Sequence, residues 1–129
     1  MSIDDDLIIS CDDLNLALGA WSSNDRSLVG FSPRLHAFDV ITGAIKYLRW
    51  QHVYWSGTYT IMLTKAAIFH RDYLSDFVQL IRPEQLDQID KNRNCEDLAL
   101  AYVIARVVSC AVISIPFHLC YLISDYNTL

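Results

Sequence analysis

The spacing of apolar and polar positions predicts a chain that begins with a helix and continues as strands. Between residues 14 and 21 the apolar positions recur at i, i+3, i+4 and i+7, which predicts a helix capped by Asp12 or Asp13 and closed by residues 22–25. Residues 28–32 are a short apolar run that stops at Pro33, which predicts a strand followed by a loop over 33–43.

Two further strands are predicted over residues 44–50 and 53–64, because both stretches are rich in Tyr, Trp, Ile and Thr. Gly57, inside the second stretch, predicts a bulge or a close approach of two backbones. From Lys65 to about Leu80 the pattern becomes helical, and Pro83 can open a short helix at its first position.

Asn94 is placed to cap a last helix over residues 95–106, with Leu98, Tyr102 and Ala105 along one face. The order of helix, strands and then helices predicts an α/β or α+β layout. We find no internal repeat and no linker-like run, so 129 residues with 53% hydrophobic content indicate one domain with enough apolar residues for a core.

Charge and cysteine content exclude some classes of protein. A net charge of −5 and a pI near 5.1 argue against a nucleic-acid binder, which would show a basic patch. The first thirteen residues hold five aspartates and no basic residue, so the positive start of a signal peptide is absent there. The four cysteines show no Cys-x-x-Cys spacing, which disfavours a zinc site.

Residues 107–124 contain no Asp, Glu, Lys or Arg, and their eighteen positions just reach the lower limit for a transmembrane helix. Pro116 and His118 count against a clean membrane span. The alternatives are a buried or poorly structured tail, or a C-terminus that has been truncated or altered.

Asp4, Asp5 and Asp6 stand between a short apolar lead and the apolar residues 7–9, which predicts an acidic turn at the end of a strand. Carboxylates are the ligands that Mg²⁺ and Mn²⁺ prefer, and such ions are commonly held by one or two carboxylates together with substrate phosphates. An acidic triplet is also typical of a solvated loop, so the triplet needs supporting context.

Four later segments supply that context. They are VGFSPRLH (29–36), YWSGTYTIML (54–63), FHRDYL (69–74) and NRNCEDLA (92–99). In this order and spacing, together with the acidic triplet, they resemble the exostosin-like glycosyltransferases, glycosyltransferase family 64, and most of all its plant-type branch. The resemblance covers about residues 3–106.

The resemblance implies the GT-A fold, an α/β architecture in which a metal motif joins a nucleotide half to an acceptor half. The chain is then expected to be a fragment with a partial GT-A fold. Residues 1–106 would form a partial family 64 domain, and residues 107–129 a divergent apolar tail. The nucleotide half would be missing, so we expect no sugar transfer by this chain alone.

By resemblance, Asp6 contacts a Mn²⁺ or Mg²⁺ ion, while Asp4 and Asp5 lie against the nucleotide sugar. Asp97 matches the acid near the reacting carbon or the acceptor hydroxyl, and Glu96 is a weaker candidate. A second interpretation of Asp97 is structural, because Asn94 and Asp97 have approximately the spacing of a capping box.

Arg34 and His36 are candidates for substrate contact, since arginine suits bidentate capture of phosphate or carboxylate. The alternative is a surface loop in which the arginine pairs with a nearby acid.

Four aromatic residues could line an acceptor groove, but most of them are expected in the core, with Trp55 kept as the acceptor candidate. The four are Trp50, Tyr54, Trp55 and Tyr59.

The resemblance further implies that Cys95 pairs with a downstream cysteine; Cys110 and Cys120 lie in the divergent tail.

The implied function is retaining transfer of a sugar from a UDP- or GDP-sugar to a glycan or glycosphingolipid, with heparan sulfate as the animal counterpart. The full-length family member would be membrane-associated in the Golgi or endoplasmic reticulum, facing the lumen. The rival hypotheses are a non-catalytic truncated or membrane-tethered scaffold and a generic metal-binding domain.

Overall fold

The computed structural model describes residues 1–108 and 112–115, which form a mixed five-stranded sheet and five helices. The α/β layout expected from the sequence is confirmed. In chain order the elements are β1 (Ser2–Ile3), α1 (Cys11–Ser23), β2 (Leu28–Phe38), β3 (Ile45–Leu48), α2 (Trp50–Ser56), β4 (Ile61–Ile68), α3 (Asp72–Leu80), α4 (Pro83–Asn92), α5 (Glu96–Val107) and β5 (Val112–Ser114).

The strand order is β1-β4-β2-β3, with β5 also paired to β2. Strand β4 is antiparallel to both β1 and β2, so β1 and β2 run in the same direction. Strand β1 ends opposite Ala66, whereas β2 stays paired with β4 as far as Ile61, which is opposite Arg34. Beyond Arg34, β2 pairs with β3, so the β2–β3 hairpin extends past the end of β4.

Helices cover both faces of the sheet and bury two apolar clusters. On one face Leu28 and Met62 of the sheet pack with Tyr73 of α3 and with Leu100 and Ile104 of α5. On the other face Ala17 of α1 packs against a second set of sheet residues, which comprises Val29, Phe31, Ala66, Ile68 and Ile115. Burial on both faces agrees with the apolar start of β2, residues 28–31, and with the mostly apolar sequence of β4.

Two tyrosine hydroxyls tie distant segments together. The Tyr73 hydroxyl donates to the Arg26 carbonyl at 2.8 Å, and burial raises the pKa of this phenol. The Tyr59 hydroxyl donates to the Val112 carbonyl at 2.7 Å and accepts from the Ser114 amide at 3.2 Å. These bonds join α3 to the α1–β2 loop and hold β5 beside β2.

The apolar stretch 107–124 is only partly covered by the described residues, since 109–111 and 116–124 lie outside them. Within the described part, Val112–Ser114 pairs with β2 as a parallel strand, so the stretch is not one continuous helix. Among the described residues, none of the helices has the length and apolar character needed to cross a membrane.

The first helix begins earlier than predicted. Its N-cap is Ser10, whose hydroxyl accepts from the Asp13 amide at 3.1 Å and donates to the Asp13 carboxylate at 2.8 Å. The prediction of Asp12 or Asp13 as the cap is therefore wrong, although residues 14–21 do lie in the helix. Asp12 and Asp13 occupy the first turn, where acidic side chains favour the helix dipole.

The prediction that Pro33 ends the second element is wrong, because β2 continues through it to Phe38. Proline is tolerated in a strand where its missing amide faces no partner strand. On one side of β2 the pairing with β5 ends at Gly30, and the pairing with β3 begins at Leu35. Pro33 lies between these two stretches, so its missing amide costs no hydrogen bond there.

The strand predicted over 53–64 and the helix predicted from Lys65 are also wrong at their boundaries. Residues Trp50–Ser56 form helix α2, and Gly57 ends it with a φ of 66°, a left-handed conformation that glycine adopts without strain. Strand β4 then runs past Lys65 to Ile68, and α3 starts only at Asp72. The predicted strand near 44–50 and the proline-opened helix at Pro83 are confirmed.

The last helix has Cys95 at its N-cap, with a φ of 74°, in place of Asn94. Its buried side chains are Leu100, Ala101, Val103 and Ile104. Tyr102, which was predicted on the apolar face, is 61% exposed, so the predicted face is wrong.

Strand β4 carries an irregularity opposite Gly30. Gly30 pairs with Ala67 and Ser32 pairs with Leu63, so the single residue between them on β2 faces three residues of β4. A Cβ on Gly30 would lie 2.7 Å from Met62 Cγ and 3.1 Å from the Ala66 carbonyl oxygen. Glycine is therefore required for β4 to approach β2 closely at this point.

We expect Gly30→Ala to destabilise the fold by about 1–3 kcal/mol, because the new methyl group overpacks against a buried methionine. The matched control is Gly19→Ala in α1, where an added Cβ meets nothing within 4 Å. This control should be neutral or stabilising by about 0.5–1 kcal/mol. Urea unfolding of both variants checks the prediction, and equal stability of the two would contradict it.

Candidate functional site

The irregularity in β4 positions the first two residues of the candidate site, Thr64 and Lys65. Neighbouring residues of a regular strand point to opposite faces of the sheet. Thr64, Lys65 and Ala66 are the three β4 residues that face a single position of β2, so the strict alternation is broken there. Thr64 and Lys65 can therefore both bond to acidic residues of the site.

The acidic triplet lies directly after β1, as the sequence predicted. The Asp4 amide donates to the Lys65 carbonyl at 2.8 Å, which continues the pairing of β1 with β4. The Lys65 ammonium lies 3.1 Å from Asp6 Oδ2 and 3.9 Å from Asp4 Oδ2. The Lys65 ammonium therefore lies near the first and last carboxylates of the triplet, and both Asp4 and Asp5 are exposed residues.

Asp97 faces the same region from the first turn of α5. Its Oδ1 accepts a hydrogen bond from the Thr64 hydroxyl of β4. The Asn94 side chain accepts from the Cys95 amide at 2.7 Å, and no side chain caps α5. The capping-box interpretation of Asp97 is therefore wrong, because its carboxylate bonds to the sheet and leaves the helix end uncapped.

Burial raises the pKa of the Asp4 carboxyl above its usual range, although Lys65 acts to lower it. The negative charges of Asp97, Asp6 and Asp5 add to the rise. The triplet bonds to Lys65 and Asp97 bonds to the adjacent Thr64. The structure thus brings Asp4, Asp6 and Asp97 together around Thr64 and Lys65.

In a second lysine–aspartate ion pair of the chain, the pKa of the carboxyl is shifted in the opposite direction. Lys46 lies 2.7 Å from Asp39 Oδ2 on the hairpin. The hydrogen bond from Lys46, aided by the amides of Ile41 and Thr42, lowers the pKa of Asp39. A lysine partner alone therefore does not raise the pKa of a carboxyl; at Asp4, burial and neighbouring negative charge outweigh the lysine.

The acidic pair suits a divalent cation that brings further ligands with it. Asp4 and Asp6 already converge on one cation, the Lys65 ammonium, and carboxylate oxygens are hard ligands. Among residues 1–108 and 112–115, however, no group of three His, Cys, Asp or Glu side chains is placed to hold a metal. The pair fits a metal that also binds a phosphate-bearing substrate better than it fits a free ion.

Arg34 and His36 lie on β2 beyond the level at which β1 ends. Arg34 pairs with Ile61, four residues from Lys65 and so roughly 13 Å along the strand. Its guanidinium donates to the Pro33 carbonyl at 2.9 Å, and the His36 ring contacts the Thr60 hydroxyl at 2.9 Å. Neither of these bonds is to a carboxylate of the cluster, so these contacts do not bring Arg34 and His36 to the acidic residues.

The aromatic residues near α2 contradict the prediction that most of them are core. Trp50 is 46% exposed, Tyr54 80% and Trp55 76%, and only Tyr59 packs against an apolar cluster. The hairpin carries further exposed apolar side chains, and with the three exposed aromatic residues they are called the hairpin surface; they are Phe38, Val40, Ile41, Ile45 and Tyr47. Glu96 is exposed at the first turn of α5.

Cys95 is exposed and forms no disulfide among the described residues, and the same holds for Cys11. Cys110 and Cys120 lie outside the described part of the chain, so the expected pairing of Cys95 stays a prediction.

Thr64 and Lys65 are not among the site residues predicted from the sequence. Both fall at the predicted change from strand to helix, so neither was assigned to a site. The available signal was a Thr-Lys pair inside an otherwise apolar run of residues 61–68, because polar residues in a buried strand need a partner.

Residues 1–120 match the glycosyl transferase family 64 domain. The chain is 38% identical over 115 residues to glycosylinositol phosphorylceramide mannosyl transferase 1 of Arabidopsis thaliana, which covers 87% of this chain and 34% of that protein. It is 30% identical over 107 residues to exostosin-1c of Danio rerio, in an alignment that covers 83% of this chain and 14% of that protein. Exostosin-2 of Homo sapiens is 29% identical over 116 residues, which are 89% of this chain and 16% of that protein.

The chain has an α/β sheet with an acidic turn after one strand and an aspartate at the start of a nearby helix. Together with these matches, this identifies the chain as a glycosyltransferase domain by family. The chain belongs to glycosyl transferase family 64, which confirms the resemblance found in the sequence. It spans about a third of the length of the plant relative and about one-seventh of the exostosins. The boundary placed after residue 106 stays a prediction.

The raised pKa of Asp4 predicts how stability depends on pH. The folded chain disfavours the charged form of Asp4, so at pH 7 Asp4→Asn should be at least as stable as the wild type. As the pH falls through the raised pKa towards the ordinary value of 3.8, Asp4 becomes neutral and the difference should vanish. Urea unfolding between neutral and acid pH measures this difference.

Asp39→Asn is the control with the opposite sign. Because the pKa of Asp39 is lowered, the wild type should be more stable than this variant at neutral pH, and the advantage should be lost on acidification. An Asp4→Asn variant that loses stability at pH 7 in the same way as Asp39→Asn would show that the carboxylate of Asp4 is favoured by the fold, contrary to our account.

Proposed function

We propose that this chain is part of a metal-dependent, retaining glycosyltransferase that moves a sugar from a UDP- or GDP-sugar to a glycan or glycolipid acceptor. The observation that carries the proposal is the convergence of Asp4 and Asp6 with Asp97 on adjacent residues of β4, in a chain of family 64. We also propose that the sheet belongs to a GT-A fold with Asp4–Asp6 as its DXD motif.

On the donor side, Asp6 is the proposed main protein ligand of Mn²⁺ or Mg²⁺, and Asp4 and Asp5 are the proposed contacts of the nucleotide sugar. When bound, the metal would neutralise charge on the diphosphate leaving group. The support is that Asp6 and Asp4 already share one cation at 3.1 and 3.9 Å. A diphosphate would supply the remaining oxygen ligands.

Asp97 is the proposed catalytic residue, acting near the reacting carbon or the acceptor hydroxyl. The Thr64 hydroxyl holds one of its oxygens, which fixes the orientation of the carboxylate relative to the acidic triplet. A fixed orientation matters because catalytic groups act only from within hydrogen-bond reach of the reacting atoms. Glu96, one residue earlier and exposed, is a weaker candidate for acceptor contact.

On the acceptor side, we propose contributions from Arg34, His36 and Trp55. Arg34 and His36 lie further along β2, in the direction in which β1 also runs, and Trp55 presents an exposed ring on α2. The Arabidopsis relative is, by its name, a mannosyl transferase of a glycosylinositol phosphorylceramide. An acceptor that combines sugar and lipid would suit the aromatic and aliphatic character of the hairpin surface. We propose a lumenal site of action at Golgi or endoplasmic reticulum membranes.

Asp97→Asn tests the proposed catalytic role of Asp97 separately from its structural bond to Thr64. Asparagine keeps an oxygen that can accept from Thr64, so the fold should be nearly unchanged while the charge is lost. We expect kcat to fall by about a hundredfold or more, the usual scale for loss of an acid or base. The assay follows release of UDP or GDP, with an acceptor present, from the longest form of the protein that its gene encodes.

Asp87→Asn is the matched control, because it makes the same change of charge at an exposed position of α4. It should leave kcat unchanged. Near-normal turnover by Asp97→Asn would remove Asp97 from the chemistry. If the wild type transfers no sugar from any UDP- or GDP-sugar, the proposed function itself is wrong.

A further inference from the structure

Lys65 is held at the acidic cluster by both its backbone and its side chain. Its carbonyl accepts from the Asp4 amide at 2.8 Å, and its ammonium lies 3.1 Å from Asp6 and 3.9 Å from Asp4. The side chain is 23% exposed, so water screens this ammonium less than that of Lys46, which is 63% exposed. A positive charge is therefore fixed between the two carboxylates when no ligand is present.

A free divalent cation would compete poorly for this position. It would have to displace the ammonium from Asp6 or bind within a few ångströms of a like charge, and at such distances repulsion is strong near a protein surface. The described residues also offer no third carboxylate, imidazole or thiolate that completes a metal site. Both features oppose the binding of a metal ion by itself.

A diphosphate would remove both obstacles to metal binding, the unfavourable charge of Lys65 and the lack of further ligands. Its oxygens complete the coordination of a divalent cation, and its negative charge gives the Lys65 ammonium a new partner. Lysine is a common phosphate ligand because its ammonium acts as a compact point charge. The same lysine that opposes a free ion would then favour an ion that arrives together with a nucleoside diphosphate.

We propose that Lys65 is a positioning residue that occupies the cation position between Asp4 and Asp6 in the free protein and yields it only to a divalent cation accompanied by a diphosphate. The inference rests on the proposed function and deepens it, since it assigns an order to donor binding. The predicted ligand is the complex of Mn²⁺ or Mg²⁺ with a nucleoside diphosphate.

The test measures Mn²⁺ binding to the longest form of the protein that its gene encodes by electron paramagnetic resonance, first with Mn²⁺ alone. Lys65→Met removes the charge and keeps the apolar stem. We expect this variant to bind Mn²⁺ alone about tenfold more tightly than the wild type, which is a modest change in binding free energy. With UDP or GDP present, the advantage of the variant should shrink or reverse, because the ammonium no longer reaches the diphosphate.

Two further variants serve as controls. Lys46→Met removes the other lysine that is ion-paired to an aspartate, at 2.7 Å, and should leave Mn²⁺ affinity unchanged. Lys65→Arg keeps the positive charge and should bind Mn²⁺ alone as weakly as the wild type. Circular dichroism checks that each variant is folded; if Lys65→Met is not, Lys65→Gln takes its place because its amide can still donate to Asp6.

A gain in affinity for Mn²⁺ alone is a result that a merely structural role of Lys65 cannot produce, since loss of structure weakens a site. Equal or weaker binding of Mn²⁺ by the folded uncharged variant would overturn the inference. So would a result in which UDP or GDP promotes Mn²⁺ binding as strongly in Lys65→Met as in the wild type. If neither UDP nor GDP promotes Mn²⁺ binding in any variant, the proposed donor class fails, while the comparison in Mn²⁺ alone still decides the role of Lys65.

Discussion

The close approach of β4 to β2 at Gly30 is the constraint on which the candidate site depends. Because one residue of β2 faces three residues of β4, the strand loses its alternation at Thr64 and Lys65. Thr64 can then bond to Asp97 on α5, while Lys65 bonds to the turn after β1. Without this irregularity, two adjacent residues of one strand would face opposite sides of the sheet. Bulges of this kind are over-represented next to active sites, where they redirect side chains.

The charge balance of the site follows from this arrangement. Asp4 and Asp6 share the Lys65 ammonium, Asp97 is bonded to the neighbouring Thr64, and the pKa of Asp4 is raised despite the lysine. On the exposed hairpin, by contrast, one lysine lowers the pKa of Asp39. A cluster with more negative than positive charge is ready to accept a further cation. This is the physical reason for connecting the cluster with a metal-bound nucleotide sugar.

Local patterns predicted the elements whose signals are local. The helix over residues 14–21, the proline-opened helix at Pro83 and the acidic turn after β1 were all visible in the sequence. The errors arose where pairing between distant segments decided the structure: β2 continues through Pro33 because no strand pairs there on one side, and β4 continues past Lys65 because β1 and β2 flank it. The link between Thr64 and Asp97 spans 33 positions, so no local pattern could reveal it.

The central claim is that the acidic turn, β4 and the start of α5 form one site for a metal-bound nucleotide. Paramagnetic broadening of amide signals by Mn²⁺, in the presence of UDP or GDP, measures the distances from the bound ion most directly. The account predicts strong broadening at Asp6, Lys65 and Asp97 together, with little at Ile45 in the hairpin. Broadening at Asp6 without Asp97, or an even effect across the chain including Ile45, would contradict it.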